Sequence, residues 1–148
     1  MTTATWHIYD HFMLAQNVGN ELNLASGGDT VKVALITSAV APNQAADTTF
    51  SGASYVEVTG TNYTAGGINV TSGQSCTLAS DIVTFTSSVS LDWVQSLTGF
   101  SNAAYAVAYG SVSGKLIAYL PFGSSQGNIS ADFTITLPSG FWQASRTP

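Results

Sequence analysis

Short stretches of alternating hydrophobic and polar residues dominate the chain. In DTVKVALITSAVAPNQ, which begins at Asp29, Val31, Val33, Leu35 and Thr37 alternate with Lys32, Ala34, Ile36 and Ser38. A β-branched run of this kind predicts a strand buried on both faces, and it is expected to be the central one. Ala41-Pro42-Asn43 ends it, because proline gives no ladder donor and asparagine suits a turn. In YVEVTGTNYTAGGINV, residues 55–70, Val56 and Val58 alternate with Tyr55, Glu57 and Thr59. A glycine-rich turn follows before Ile68 and Val70 resume a strand. Cys76 and Leu78 predict a short strand, Ile82, Val83 and Phe85 another, and Leu91, Trp93 and Val94 close a Ser-rich loop.

The run AAYAVAY at 103–109 puts Tyr105, Val107 and Tyr109 on one face and alanines on the other. Gly110-Ser111-Val112-Ser113-Gly114 then turns it into KLIAYLPF, which reads as a hairpin followed by a polar connector at 123–128. The clearest alternation comes last, with Ile129, Ala131, Phe133, Ile135 and Leu137 facing the core. One segment has a longer period. WHIYDHFMLAQN, with Thr5 as cap and Gly19 as stop, predicts a helix over about residues 5–18, whose apolar face carries Trp6, Tyr9, Phe12 and Met13. Residues 43–54 read as a surface loop pinned by Phe50, and the tail 139–148 is expected to extend beyond the body, exposing Phe141 and Trp142. Together these elements predict an all-β fold, an antiparallel β-sandwich that is jelly-roll-like, in a single domain over residues 1–148 with one N-terminal helix.

Composition changes this picture in one respect. Only 7% of the 148 residues are charged, against about a quarter in typical soluble domains. Ser, Thr, Gly, Asn and Ala must then cover the surface, and a chain with little charge repulsion suits a subunit packed against others. Three basic residues and a net charge of −5 argue against binding nucleic acid or anionic membranes, both of which need clustered Lys and Arg. Cys76 is the single cysteine, so no intramolecular disulfide forms. Residues 1–5 lack a cationic region leading into an apolar run, and the chain is expected to be made inside the cell without a secretory signal. The sequons at Asn62, Asn69 and Asn128 are then chance matches.

Candidate chemistry is sparse. On a helix His7 and His11 would stand at i and i+4, a metal-ligand spacing, but Asp10 points elsewhere and metal sites usually need a third ligand. The middle position of 110–114 is valine, not the serine of a nucleophile elbow. Glu57 with Asp92 or Asp132 is the pairing a glycosidase would require. Gly27-Gly28 and Gly66-Gly67 lack the lysine and helix of a phosphate loop. The expectation is a protein that is not an enzyme and binds no cofactor or metal. Trp6, Trp93, Tyr63, Phe141 and Trp142 are candidates for a sugar-stacking platform or for interface anchors, and for those at the chain ends the interface reading is preferred.

The succession of the helical start, DTVKVALITSAVAPNQ, EVTGTNYTAGG, the tyrosine-rich strand and SADFTITLP resembles a family of small virion proteins of tailed bacteriophages, similar to capsid cement or decoration proteins. The resemblance covers most of the chain and is most specific over residues 29–70. It implies a structural protein on the outer surface of a virion capsid, assembled in the bacterial cytoplasm. It also implies a homo-oligomer, a dimer or trimer, that clamps neighbouring subunits of the major capsid protein. Trp6, Tyr9, Phe12, Met13, Phe141 and Trp142 are the residues expected to reach those partners. Two other readings stand beside it: a tail, connector or head-fibre attachment protein of the virion, and a carbohydrate-binding β-sandwich module that contacts host glycans.

Overall fold

The computed structural model describes residues 5–18, 28–70, 75–79, 82–86, 90–137 and 142–145. The fold is all-β, antiparallel and sandwich-like. The elements are β1 (His7–Ile8), α1 (Asp10–Val18), β2 (Val31–Ile36), β3 (Ile68–Asn69), β4 (Ser75–Ala79), β5 (Ile82–Thr86), β6 (Ser90–Trp93), β7 (Ala103–Gly110), β8 (Leu116–Gln126), β9 (Phe133–Thr136) and β10 (Trp142–Ser145). A five-stranded sheet runs β1-β8-β7-β2-β3, a three-stranded sheet β10-β5-β4, and a two-stranded ribbon pairs β6 with β9.

The predicted hairpin forms between β7 and β8, and β2 pairs with β7 from Val31↔Gly110 to Ile36↔Tyr105. The central position therefore belongs to β7 rather than β2, with β8 and β1 on one side of it and β2 and the two-residue β3 on the other. The expected burial of β2 on both faces holds, with Val31, Val33, Ala34, Leu35 and Ile36 all in the core. Its remaining edge is closed by backbone bonds from Val58 N to Leu35 O and from Thr37 N to Val56 O. Residues 55–59 thus line β2 through a single bridge, Ile36↔Glu57, instead of forming a strand.

Four other expectations change. The helix starts at Asp10, not near Thr5, because His7 and Ile8 pair with Tyr119 and Ala118 as an edge strand. The Tyr9 carbonyl accepts the first helical amides, from Phe12 and Met13, and Asp10 N donates to Gln44 O. Gly19 lies outside the described residues. The polar connector is instead the end of β8: between Ala103↔Gln126 and Tyr105↔Pro121, residues 122–125 bulge out of the ladder. The last strand begins at Phe133, since Asn128 is drawn inward and Asp132 accepts a bond from Gln95 N. Residues 142–145 of the C-terminal tail are paired as a strand, for β10 joins β5 from Trp142↔Phe85 to Ser145↔Ile82. Strands β4 and β5 fall where the alternation places them.

Two aromatic clusters fasten the layers. Tyr119 contacts His7 and Tyr9, and Phe50 stacks on Tyr109 at 4.3 Å and meets Tyr55 edge-on, so the 43–54 loop is pinned as expected. Phe133 packs against Trp93, Phe100 and Phe122, joining the β6–β9 ribbon to the main sheet. Such pairs contribute about 0.5–1.5 kcal/mol each beyond the area they bury.

Candidate functional site

Five carboxylates, Asp29, Asp47, Glu57, Asp92 and Asp132, are bonded to the chain's own backbone amides or hydroxyls. Glu57 Oε2 accepts the Tyr63 hydroxyl at 2.5 Å and Gly66 N at 2.7 Å, while the Tyr63 hydroxyl accepts Leu35 N. The Tyr109 hydroxyl closes the same turn by donating to Gly66 O at 2.7 Å. The Glu-Tyr-Gly-Gly motif at 57–67 is therefore a staple over the edge of β2. Burial, and then the bond to Glu57, pushes the Tyr63 phenol well above its usual range, so it stays a neutral donor. A parallel chain runs from the Tyr9 hydroxyl to that of Tyr55 and on to Asp47, which also accepts Asn43 N. Burial raises both of these phenols. Asp92 is engaged by Thr134 and Ser90, and Asp132 by Gln95 N. The carboxylates considered for a glycosidase pair are thus each held in a local bond, on separate elements.

Asp29 gathers the most donors. It accepts Val112 N, Ser113 N and the hydroxyls of Ser111 and Ser113, which fixes the β7–β8 turn. Burial alone would raise its carboxyl, but the bonds from Ser113, Val112 and Ser111 outweigh it, and the pKa lies below the ordinary 3.8. A depressed carboxyl contributes stability that is fully present above its unfolded value and lost as pH falls through the folded one. We expect Asp29→Asn to cost about 1–2 kcal/mol at pH 7, kept small by solvent at this partly exposed group. The gap in urea midpoint between the two proteins should close as pH falls below 3.8.

At the other end of β7, Asn128 is fully buried. Its Oδ1 accepts Phe100 N at 2.9 Å, and its Nδ2 donates to Val94 O at 2.8 Å and Thr61 O at 3.3 Å. It ties three loops together and is closed to glycosylation, whereas Asn62 and Asn69 are exposed.

The structure divides the residues expected to contact partners. Tyr9 and Phe12 are 0% and 1% exposed, inside the chain's own core, so they form no outer face. Met13 and the neighbouring Leu14 point outward at 55% and 58%. Trp6 is half-buried against the core. Phe141 lies outside the described residues, and the backbone of Trp142 belongs to β10. The sugar platform loses two members, since Trp93 is buried and Tyr63 is largely covered with its hydroxyl engaged. His7 lies in β1 and His11 in α1, so the expected helical pair does not exist, and no group of three metal-ligating side chains occurs among the described residues.

Leu97 and Val112, which the alternation along the chain does not single out, are the most exposed large apolar residues among those described, at 84% and 89%. Each is a lone apolar residue at the centre of a polar turn, Ser96-Leu97-Thr98 and Ser111-Val112-Ser113, and that is the signal that could have found them. No protein-family model, curated protein or solved structure matches the chain.

Proposed function

We propose that this protein is a structural component of a bacteriophage virion that binds the outside of the capsid and clamps neighbouring major-capsid subunits. The observation that carries this reading is a surface poor in charge that displays large apolar side chains, Met13, Leu14, Val94, Leu97 and Val112, on ordered elements. Apolar groups presented this way release water on docking, and a surface with few charged side chains limits the cost of stripping water from charges. A protein that binds the mature shell and not its precursor stabilises the mature state by its binding free energy, about 2.7 kcal/mol per site at a hundred times Kd. Repetition over the shell makes that large without any catalysis, cofactor or nucleic-acid contact, and self-association into a dimer or trimer would match the symmetry of capsid seams.

The test is to mix purified protein with capsids lacking it, then sediment and image them. Regular density over subunit seams, with raised resistance of the shell to heat, is the expected result. Binding to tails or connectors instead would place the protein elsewhere on the virion, and failure to bind any particle while retaining glycans on an array would establish the carbohydrate reading.

A further inference from the structure

The bulge in β8 opens a concavity beside the first residues of β7. Pro121 pairs with Tyr105 but brings no amide to the ladder, and pairing returns only where Gln126 meets Ala103. Residues 122–125 therefore stand opposite Ala104 alone, and Gly123, at φ +75°, carries the chain outward. The excursion leaves a cavity of about 310 Å³, walled by half-buried Ala104, Tyr105 and Pro121 and rimmed by exposed Ser38, Ser124 and Ser125. Bulges of this size commonly re-aim side chains beside binding sites.

Elsewhere, clusters of hydroxyls are spent on the fold. Ser111 and Ser113 bond Asp29, Ser90 and Thr134 bond Asp92, and Thr61 bonds Thr98. Around the bulge they are not: among the described residues, the hydroxyls of Ser38, Tyr105 and Ser125 have no hydrogen-bond partner. The rim itself is held in place. The carbonyl and Oγ of Ser124 both accept from Gln126 Nε2, at 3.2 and 3.0 Å, which leaves the Ser124 hydroxyl its proton to donate. A ligand arriving here meets groups already positioned, so little ordering entropy is lost on binding.

The lining selects the class of ligand. None of its residues is charged, so a phosphate, carboxylate or ammonium would give up its water without an opposite charge to replace it. Hydroxyls both donate and accept, and they match a ligand whose own groups do the same. Tyr105, seated on the core, and Pro121 supply an aromatic ring and a flat apolar surface beside them. We infer that this concavity binds a neutral sugar, one pyranose ring whose apolar face lies on Tyr105 and Pro121 while its hydroxyls turn to Ser38, Ser124 and Ser125. The volume stands at the lower limit for ligand pockets, about 300 Å³, which suits one ring and not a buried chain. The site goes beyond the capsid reading and does not depend on it. It also uses none of the aromatic residues that the sequence singles out for sugar stacking.

The experiment follows the amide chemical shifts of the full chain as glucose, galactose, mannose and N-acetylglucosamine are added in turn. The phosphate ester of the hexose that binds and an uncharged proline-rich peptide serve as comparisons. At least one neutral hexose should bind saturably at millimolar concentration, moving the amides of Ala104, Tyr105 and residues 122–125, and its phosphate ester should bind more weakly. Ser125→Tyr fills the cavity from an exposed position without touching the core, so it should weaken binding at least tenfold and leave the rest of the spectrum unchanged. Tyr105→Phe keeps the ring and removes one hydroxyl, and should weaken binding only a few-fold. Disaccharides that carry the same ring distinguish the source: tighter binding assigns the ring to a longer glycan, equal binding to a free or terminal unit. No response to any of these sugars, shifts that spare the bulge, undiminished binding by Ser125→Tyr, or preference for the peptide over every sugar would overturn the inference.

Discussion

Asn128→Ala is expected to lose about 3 kcal/mol of stability, a large effect for a residue outside any strand. Deleting the side chain leaves Phe100 N without its acceptor, and Val94 O and Thr61 O lose a donor. The buried Phe100 amide is the group left stranded, at about 1–3 kcal/mol, and the loss of the two further bonds and of the side chain's packing adds to it, although Val94 O keeps the Asn62 amide. The backbone bonds of residue 128, from its N to Phe100 O and from Ser96 N to its O, remain available. The loss should therefore be concentrated at this end of the molecule. Amide exchange checks it: residues 94–100 should lose protection beyond the global shift, while the Asp29 turn should follow the global shift alone. Asn128→Asp should lose at least as much at neutral pH, because a carboxylate would face two carbonyl oxygens without the protons that now bridge them. Equal stability of Asn128→Ala and wild type would contradict the role assigned to this residue.

The parts of the fold legible in sequence are those where a strand buries its alternating side chains. Val31 to Ile36, the tyrosine and alanine faces of β7, and Ile135 with Leu137 could be read because period two and burial agree there. The start of the helix could not, because Tyr9 and Phe12 satisfy a helical period while His7 and Ile8 are recruited as a strand by Tyr119 and Ala118, more than a hundred residues away in the chain. Such pairing leaves no local trace. The end of β8 was hidden for the opposite reason: Gly123-Ser124-Ser125-Gln126 has turn-like composition, and its pairing to Ala103 is made across a bulge.

The candidate surface was legible only in its chemistry. Scarcity of charge and absence of reactive motifs follow from the sequence, whereas Asn128 and Asp29 look like any polar residue until the fold brings donors from distant loops to them. The chain-end aromatics drew attention because large apolar residues near termini often mark contacts, yet Tyr9 and Phe12 serve the interior.

Gly67→Ala should be the most damaging single substitution of the glycine-rich turn, costing more than about 4 kcal/mol and leaving little folded protein. Two effects add. The residue has φ of +76°, where any side chain is strained, and a Cβ there would stand 1.9 Å from Val33 O and 2.6 Å from Ala34 Cα. Those are backbone atoms of β2, the strand that pairs with β7 along its whole length, so relief requires the turn to leave the sheet. Its departure would take away the bonds that Gly66 makes with Glu57 and Tyr109, together with the bond from Gly67 N to Thr64 O. Gly123→Ala separates the two effects, since its φ of +75° is nearly the same but nothing lies within 4 Å of the added methyl. It should cost only the left-handed strain, about 1–2 kcal/mol. Urea midpoints of the two variants therefore report the close approach of the turn to β2: a wide separation is expected, and similar midpoints would mean that the turn stands further from Val33 than the structure places it.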